Sequence, residues 1–121
     1  MTLDGATILV LEDEPIIGLA LEDMLISRGA IVVYASRMEE AHEALADAEI
    51  DAAILDVNVH GHMSYPVAAS LTDLTIPFIF ATGYGDSSHP PEFKAVPTIA
   101  KPYSAAELEA ALTRASETKR G

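Results

Sequence analysis

Four short apolar runs in this chain each stop at a polar or charged residue. Ala52-Ala53-Ile54-Leu55 runs into Asp56, and Thr7-Ile8-Leu9-Val10-Leu11 runs into Glu12-Asp13-Glu14. Phe78-Ile79-Phe80-Ala81 ends in Thr82-Gly83, and Val96-Pro97-Thr98-Ile99-Ala100 ends in Lys101-Pro102. Runs this short and uniformly apolar read as strands buried on both faces, the kind found in parallel sheets. Open α/β sheets bind ligands beyond the carboxyl ends of their strands. Asp56 therefore sits where such a fold would put its chemistry. The other run ends bring more acids, a hydroxyl and an ammonium to the same edge.

Helical patterns fill the intervals. Pro15 suits the first turn of a helix, where its missing N–H is harmless. Ile16, Leu19, Ala20, Met24 and Leu25 then recur at helical spacing as the apolar face, and Gly29 is the stop. Residues 30–35 read as a second strand. Ser36 with Glu39 predicts a capping box for a helix over about 37–48. The segment from Val57 to Met63 reads as a loop, and Ser64 as the cap of a third helix confined by Pro66. Strands follow at about 76–81 and 95–100. Between them Gly83, Gly85, Pro90 and Pro91 argue for a loop with at most a short helix. Ser104 and Glu107 predict a second capping box, opening a last helix that buries Leu108 and Leu112. Strand and helix thus alternate five times. That pattern predicts an α/β fold, a doubly wound five-stranded parallel sheet with a short or irregular fourth helix.

The chain of 121 residues is expected to form one domain, residues 1–121. It has no cysteine, which excludes disulfides, thiolate metal sites and thiol nucleophiles. Its formal charge of −12 opposes contact with phosphate backbones, so no nucleic-acid partner is expected. No apolar segment is long enough to span a bilayer, and the first residues do not read as a signal peptide. The expected location is cytoplasmic.

If the first and third strands are neighbours, Glu12, Asp13 and Asp56 converge, and carboxylates that close need a counter-ion. Hard oxygen donors suit Mg²⁺, to which the backbone carbonyl of Asn58 could add one more ligand. Lys101 would bring a fixed positive charge near Asp56, and Thr82 a hydroxyl. A carboxylate nucleophile, a divalent cation, an ammonium and a hydroxyl are what phosphoryl transfer requires.

In these pieces the sequence resembles a bacterial two-component response-regulator receiver domain. The resemblance rests on Leu11-Glu12-Asp13-Glu14-Pro15, Ile54-Leu55-Asp56, Ala81-Thr82-Gly83 and Lys101-Pro102-Tyr103, in that order at strand ends. Phe80-Ala81-Thr82-Gly83-Tyr84-Gly85 also resembles the FAT-GUY subgroup, often single-domain regulators. The resemblance implies a flavodoxin-like, CheY-like sheet in the order 2-1-3-4-5. It implies Asp56 as phosphoacceptor, with Glu12, Asp13, Asp56 and the Asn58 carbonyl around Mg²⁺. Thr82 and Lys101 would bind the phosphoryl oxygens, and the Lys101-Pro102 bond would be cis.

The implied function is a phosphorelay switch rather than an enzyme. A sensor histidine kinase or histidine phosphotransfer protein would be the donor, and a downstream protein the reader; alternatively the domain drains phosphate from its kinase. Weak homodimerisation is compatible with that role. Two other readings remain open. One is a degenerate receiver that binds proteins independently of phosphorylation. The other is a haloacid-dehalogenase-type phosphatase, which would need a second Asp where Asn58 stands.

The chain also departs from the family. Thr98 occupies the place of the usual strand-five aromatic, which makes Tyr84 a candidate moving part. His60-Gly61-His62-Met63 replaces the common Met-Pro pattern after the acceptor. His60 and His62 could ligate Zn or Ni, although such a pair in a polar loop is more often solvated. His42 and His89 show no partners, and Tyr65, Tyr84 and Tyr103 read as half-buried packing groups with wet hydroxyls.

Overall fold

In the computed structural model, residues 2–83, 89–101 and 103–120 are described. The elements run β1 (Thr7–Leu11), α1 (Pro15–Ser27), β2 (Ile31–Ala35), α2 (Met38–Asp47), β3 (Ala52–Asp56), β4 (Asn58–Val59), β5 (His62–Met63), α3 (Tyr65–Asp73), β6 (Phe78–Thr82), β7 (Thr98–Ala100) and α4 (Ala105–Arg120). Five strands form one parallel sheet, ordered β2-β1-β3-β6-β7. This is the expected 2-1-3-4-5 order, renumbered because β4 and β5 form a separate antiparallel ribbon.

The central strands are buried on both faces because each alternates two apolar sets. Ile8 and Val10, Ala52 and Ile54, and Ile79 and Ala81 face one core with Leu21 and Leu25 of α1 and Leu108 and Leu112 of α4. Leu9 and Leu11, Ala53 and Leu55, and Phe78 and Phe80 face the other, with Ala41 of α2 and Val67, Ala68 and Leu71 of α3. The period of two puts neighbours on opposite sides. A one-residue slip would exchange the two sets throughout.

Several local expectations need correction. The buried face of α1 carries Gly18, Leu21 and Leu25, while Ile16 and Leu19 are 85% and 61% exposed. This helix is apolar nearly all round, so its spacing could not select a face. Ser36 does not pair with Glu39. Its N–H and its hydroxyl both donate to Glu40 (2.8 and 2.9 Å), because α2 starts only at Met38. Ser64 precedes α3 but its fully buried Oγ has no hydrogen-bond partner. The box at Ser104 and Glu107 forms as expected, with reciprocal bonds of 2.9 and 3.1 Å.

The segment after Asp56 is not a plain loop. Val59 pairs with His62 and Asn58 with Met63 across His60-Gly61. Both turn residues have positive φ (51° and 83°), the combination of a tight two-residue hairpin turn. At the far edge β7 is shorter than expected, since Pro97 has no N–H for a ladder. Among the described residues between β6 and β7, the only helical piece is a 3₁₀ turn at Pro91–Phe93.

Candidate functional site

Register brings the site together. Leu11 pairs with Leu55, so Glu12 and Asp13 leave β1 beside Asp56 at the end of β3. Asp56 pairs with Ala81 and Thr82 with Ala100, which places Thr82 and Lys101 on the other side. The Lys101 N–H donates to the Thr82 carbonyl at 2.8 Å. The parallel sheet thus carries residues far apart in sequence to one carboxyl-end edge.

Glu12, Asp56 and Thr82 are buried, and Asp13 is half-buried. Carboxylate oxygens of Glu12, Asp13 and Asp56 lie within 4.8 Å of one another. Lys101 Nζ donates to Glu12 Oε1 at 2.7 Å and lies 3.4 Å from Asp56 Oδ2. Glu12 Oε2 accepts the Glu14 N–H at 3.0 Å, and Asp13 Oδ2 accepts the His60 N–H at 2.9 Å.

Electrostatics follow from this crowding. Burial, then the charge of Glu12, pushes the Asp56 carboxyl up to about 7, against the opposing pull of Lys101. Burial works against the charge on Lys101, but its hydrogen bond to Glu12 and the Asp56 charge outweigh it and hold the ammonium above its usual range. Burial likewise opposes ionisation of Asp13, yet the His60 N–H and neighbouring side-chain hydrogen bonds keep it below the usual carboxylate range. An edge carrying several acids and one compensating lysine favours a second cation. The donor set, hard oxygens only, fits Mg²⁺. Asn58 is exposed and its Oδ1 accepts the Gly61 N–H at 2.9 Å. The ladder bonds of the ribbon fall at Val57–Ser64 and Val59–His62, which leaves the Asn58 carbonyl outside the ladder.

Some neighbours gave no signal in the sequence. His89 has partners: Nε2 lies 2.8 Å from Thr98 Oγ1 and Nδ1 lies 3.0 Å from the Tyr65 hydroxyl. The two ring nitrogens of His89 thus bridge the hydroxyls of Thr98 and Tyr65. The His89 ring lies 4.4 Å from that of Phe80. An imidazole from the preceding segment thus packs beside Thr98 and the Phe80 ring. His60 and His62 are both exposed in the ribbon, and the His60 ring bonds the Ser36 carbonyl (3.1 Å). Tyr65 stacks on Phe93, whereas the Tyr103 hydroxyl is buried without a partner rather than wet. Tyr34, unremarked in the sequence, donates to the Glu12 carbonyl at 2.7 Å. The expectations for Tyr84 and for a cis Lys101-Pro102 bond lie outside the described residues.

A doubly wound sheet with acids, a hydroxyl and a lysine at its carboxyl edge defines a phosphoryl-handling signalling domain. The response regulator receiver domain family matches residues 8–113, and the chain belongs to that family. The solution structure of SdrG from Sphingomonas melonis Fr1 is 38% identical, with 95% of this chain and 98% of that chain covered and a TM-score of 0.82. The BeF3-activated conformation of SdrG from Pseudomonas melonis Fr1, also 38% identical, covers 91% and 95% with a TM-score of 0.77. The PhyR receiver domain of Erythrobacter litoralis shares the fold at 23% identity, covering 95% and 92%, with a TM-score of 0.76. No curated protein matches the chain. Receiver domains are signalling switches of two-component systems that use Mg²⁺ at an acidic pocket and act with histidine kinases or phosphotransfer proteins. Among the described residues no helix is long and apolar enough to cross a membrane.

Proposed function

We propose that this chain is an active phosphorylation switch in which Asp56 accepts a phosphoryl group from a phosphohistidine of a kinase or phosphotransfer protein. The observation that carries this reading is the buried Asp56 carboxylate, set between Lys101 at 3.4 Å and the Glu12–Asp13 pair. Glu12, Asp13, Asp56 and the Asn58 carbonyl would hold Mg²⁺. When bound, that ion neutralises charge on the phosphoryl oxygens.

The protein's own residues do the rest. Asp56 is kept desolvated and next to an ammonium, so its oxygen can attack phosphorus in line. The phosphorus–nitrogen bond to the donor imidazole breaks as the acyl phosphate oxygen–phosphorus bond forms, and the imidazole leaves with the bonding pair. Lys101 then has a new anion to turn to, away from Glu12, and Thr82 supplies a hydroxyl at the same edge. Because the Lys101 N–H is bonded to the Thr82 carbonyl, movement of either pulls on β6 and β7 together. A downstream protein reads that surface. The BeF3-activated form of the 38% identical SdrG supports the reading, since that relative takes an activating phosphoryl mimic.

The test is intact-mass spectrometry after incubation with Mg²⁺ and acetyl phosphate. A gain of one phosphoryl group in wild type and none in Asp56→Asn is expected. No gain in wild type, from either acetyl phosphate or a phosphohistidine donor and with Mg²⁺ bound, would leave a phosphorylation-independent binding module instead.

A further inference from the structure

The acids of the site are held by more than their own side chains. Tyr34 is the next-to-last residue of β2, an edge strand, and its side chain is 38% exposed. Its hydroxyl nevertheless reaches inward to the Glu12 carbonyl at 2.7 Å. The Glu12 N–H donates to the Ala35 carbonyl at 3.0 Å. The last two residues of β2 therefore fasten both polar backbone groups of Glu12. The Glu12 carbonyl belongs to the peptide unit that joins Glu12 to Asp13. Its orientation sets the direction in which Asp13 leaves the strand.

A slot in α1 admits the Tyr34 ring. A Cβ on Gly18 would lie 2.5 Å from Tyr34 Cε1 and 2.9 Å from both Cζ and the hydroxyl oxygen, so any side chain there forces the ring to shift. Gly18 sits inside a helix with ordinary backbone geometry, where glycine costs about 1 kcal/mol relative to alanine. Its one visible role is to make room. The remaining contacts of the acids are already fixed: Glu12 to Lys101 and Glu14, Asp13 to His60. Tyr34 removes the freedom of the peptide between them.

We propose that Tyr34 is a positioning residue for the cation site, its hydroxyl locking the Glu12–Asp13 peptide through the slot that Gly18 provides. This rests on the reading of Glu12, Asp13 and Asp56 as Mg²⁺ ligands. Outer contacts of this kind tune metal affinity because they fix ligands before the metal arrives.

The experiment is a Mg²⁺ titration without any phosphodonor, followed by calorimetry, on wild type, Tyr34→Phe, Gly18→Ala and the double variant, with melting temperatures in parallel. Tyr34→Phe keeps the ring and loses only the hydroxyl, and it is expected to weaken Mg²⁺ binding about three- to tenfold. Gly18→Ala should weaken it comparably, and the double variant should be no weaker than the worse single one, because both act through one hydrogen bond. Unchanged Mg²⁺ affinity in Tyr34→Phe, with a lowered melting temperature, would make the hydroxyl purely structural and overturn the proposal. So would fully additive losses. If Gly18→Ala fails to fold, Tyr34→Phe alone decides. A wild-type chain that binds no Mg²⁺ overturns the cation-site reading itself, and the proposal with it.

Discussion

The ammonium of Lys101 is bonded to Glu12 at 2.7 Å and stands further from Asp56, at 3.4 Å. Before any cation binds, the lysine is thus counter-ion to one of the acids that Mg²⁺ would use. On the proposed ligand set, the two cations would compete for Glu12. Lys101→Met is expected to bind Mg²⁺ more tightly, by about three- to tenfold, as a repelling charge is lost. The same variant should lose about 1–3 kcal/mol of stability without Mg²⁺, because two buried acids are left uncompensated. It should also fail to gain a phosphoryl group. Calorimetric Mg²⁺ titration and urea melts check both signs; weaker Mg²⁺ binding would mean that Lys101 organises the acids rather than competing for them.

Asp56 makes stability depend on pH in an unusual direction. Burial first, and Glu12 second, raise its carboxyl to about 7, whereas an unfolded aspartate ionises near about 3.9. Between those values the folded chain binds a proton that the unfolded chain has lost. This group's contribution is therefore present in acid, falls as pH rises through that window, and is flat above it. Asp56→Asn has no charge to desolvate. It is expected to exceed wild type by about 1–3 kcal/mol at about pH 8, with the gap closing towards about pH 4. Denaturant melts across that range test it. A gap that widens in acid would contradict the assignment.

Ser64 offers a test away from the chemistry. Its hydroxyl is fully buried, makes no hydrogen bond and does not cap α3. An unpaired buried hydroxyl is a cost that removal relieves, so Ser64→Ala should raise stability by about 1 kcal/mol. Loss of stability on thermal melting would show that the hydroxyl has a partner in solution, such as an ordered water.

His89 ties three elements: α3 through Tyr65, β6 through the Phe80 ring, and β7 through Thr98. His89→Ala should cost about 2 kcal/mol from lost packing and two lost hydrogen bonds. Burial holds the imidazole below its usual range. Its contribution is thus present above the unfolded value of about 6.5 and is lost as pH falls below it. His89→Gln should therefore flatten the stability curve below about pH 6.5 relative to wild type. Parallel acid slopes for the two proteins would rule out this role.

Much of the site was legible because it depends on strand ends. Asp56, Glu12, Asp13, Thr82 and Lys101 each follow an apolar run, and a parallel sheet takes such positions to one edge. The face of α1 was not legible, since Ile16, Leu19 and Leu21 are equally apolar and only packing decides among them. Glu40 rather than Glu39 serves Ser36 because the helix begins one residue later than the capping pattern assumed. The ribbon at residues 58–63 escaped because histidine, not asparagine, takes the first positive-φ place of its turn. His89 with Thr98, and Tyr34 with Gly18, are side-chain meetings across elements, which periodicity does not encode.

The bond between Glu12 and Lys101 joins residues 89 apart in sequence. Closing so long a loop costs entropy that grows only logarithmically with length, but it must be met by the whole sheet in between. During synthesis the acids at the ends of β1 and β3 emerge well before the lysine beyond β7. The pocket gains its compensating ammonium only when the last strand joins the edge. On the proposed reading, competence to take up a phosphoryl group would wait for synthesis to pass Lys101, and a polypeptide stalled or cut before that residue would carry the acids without their lysine.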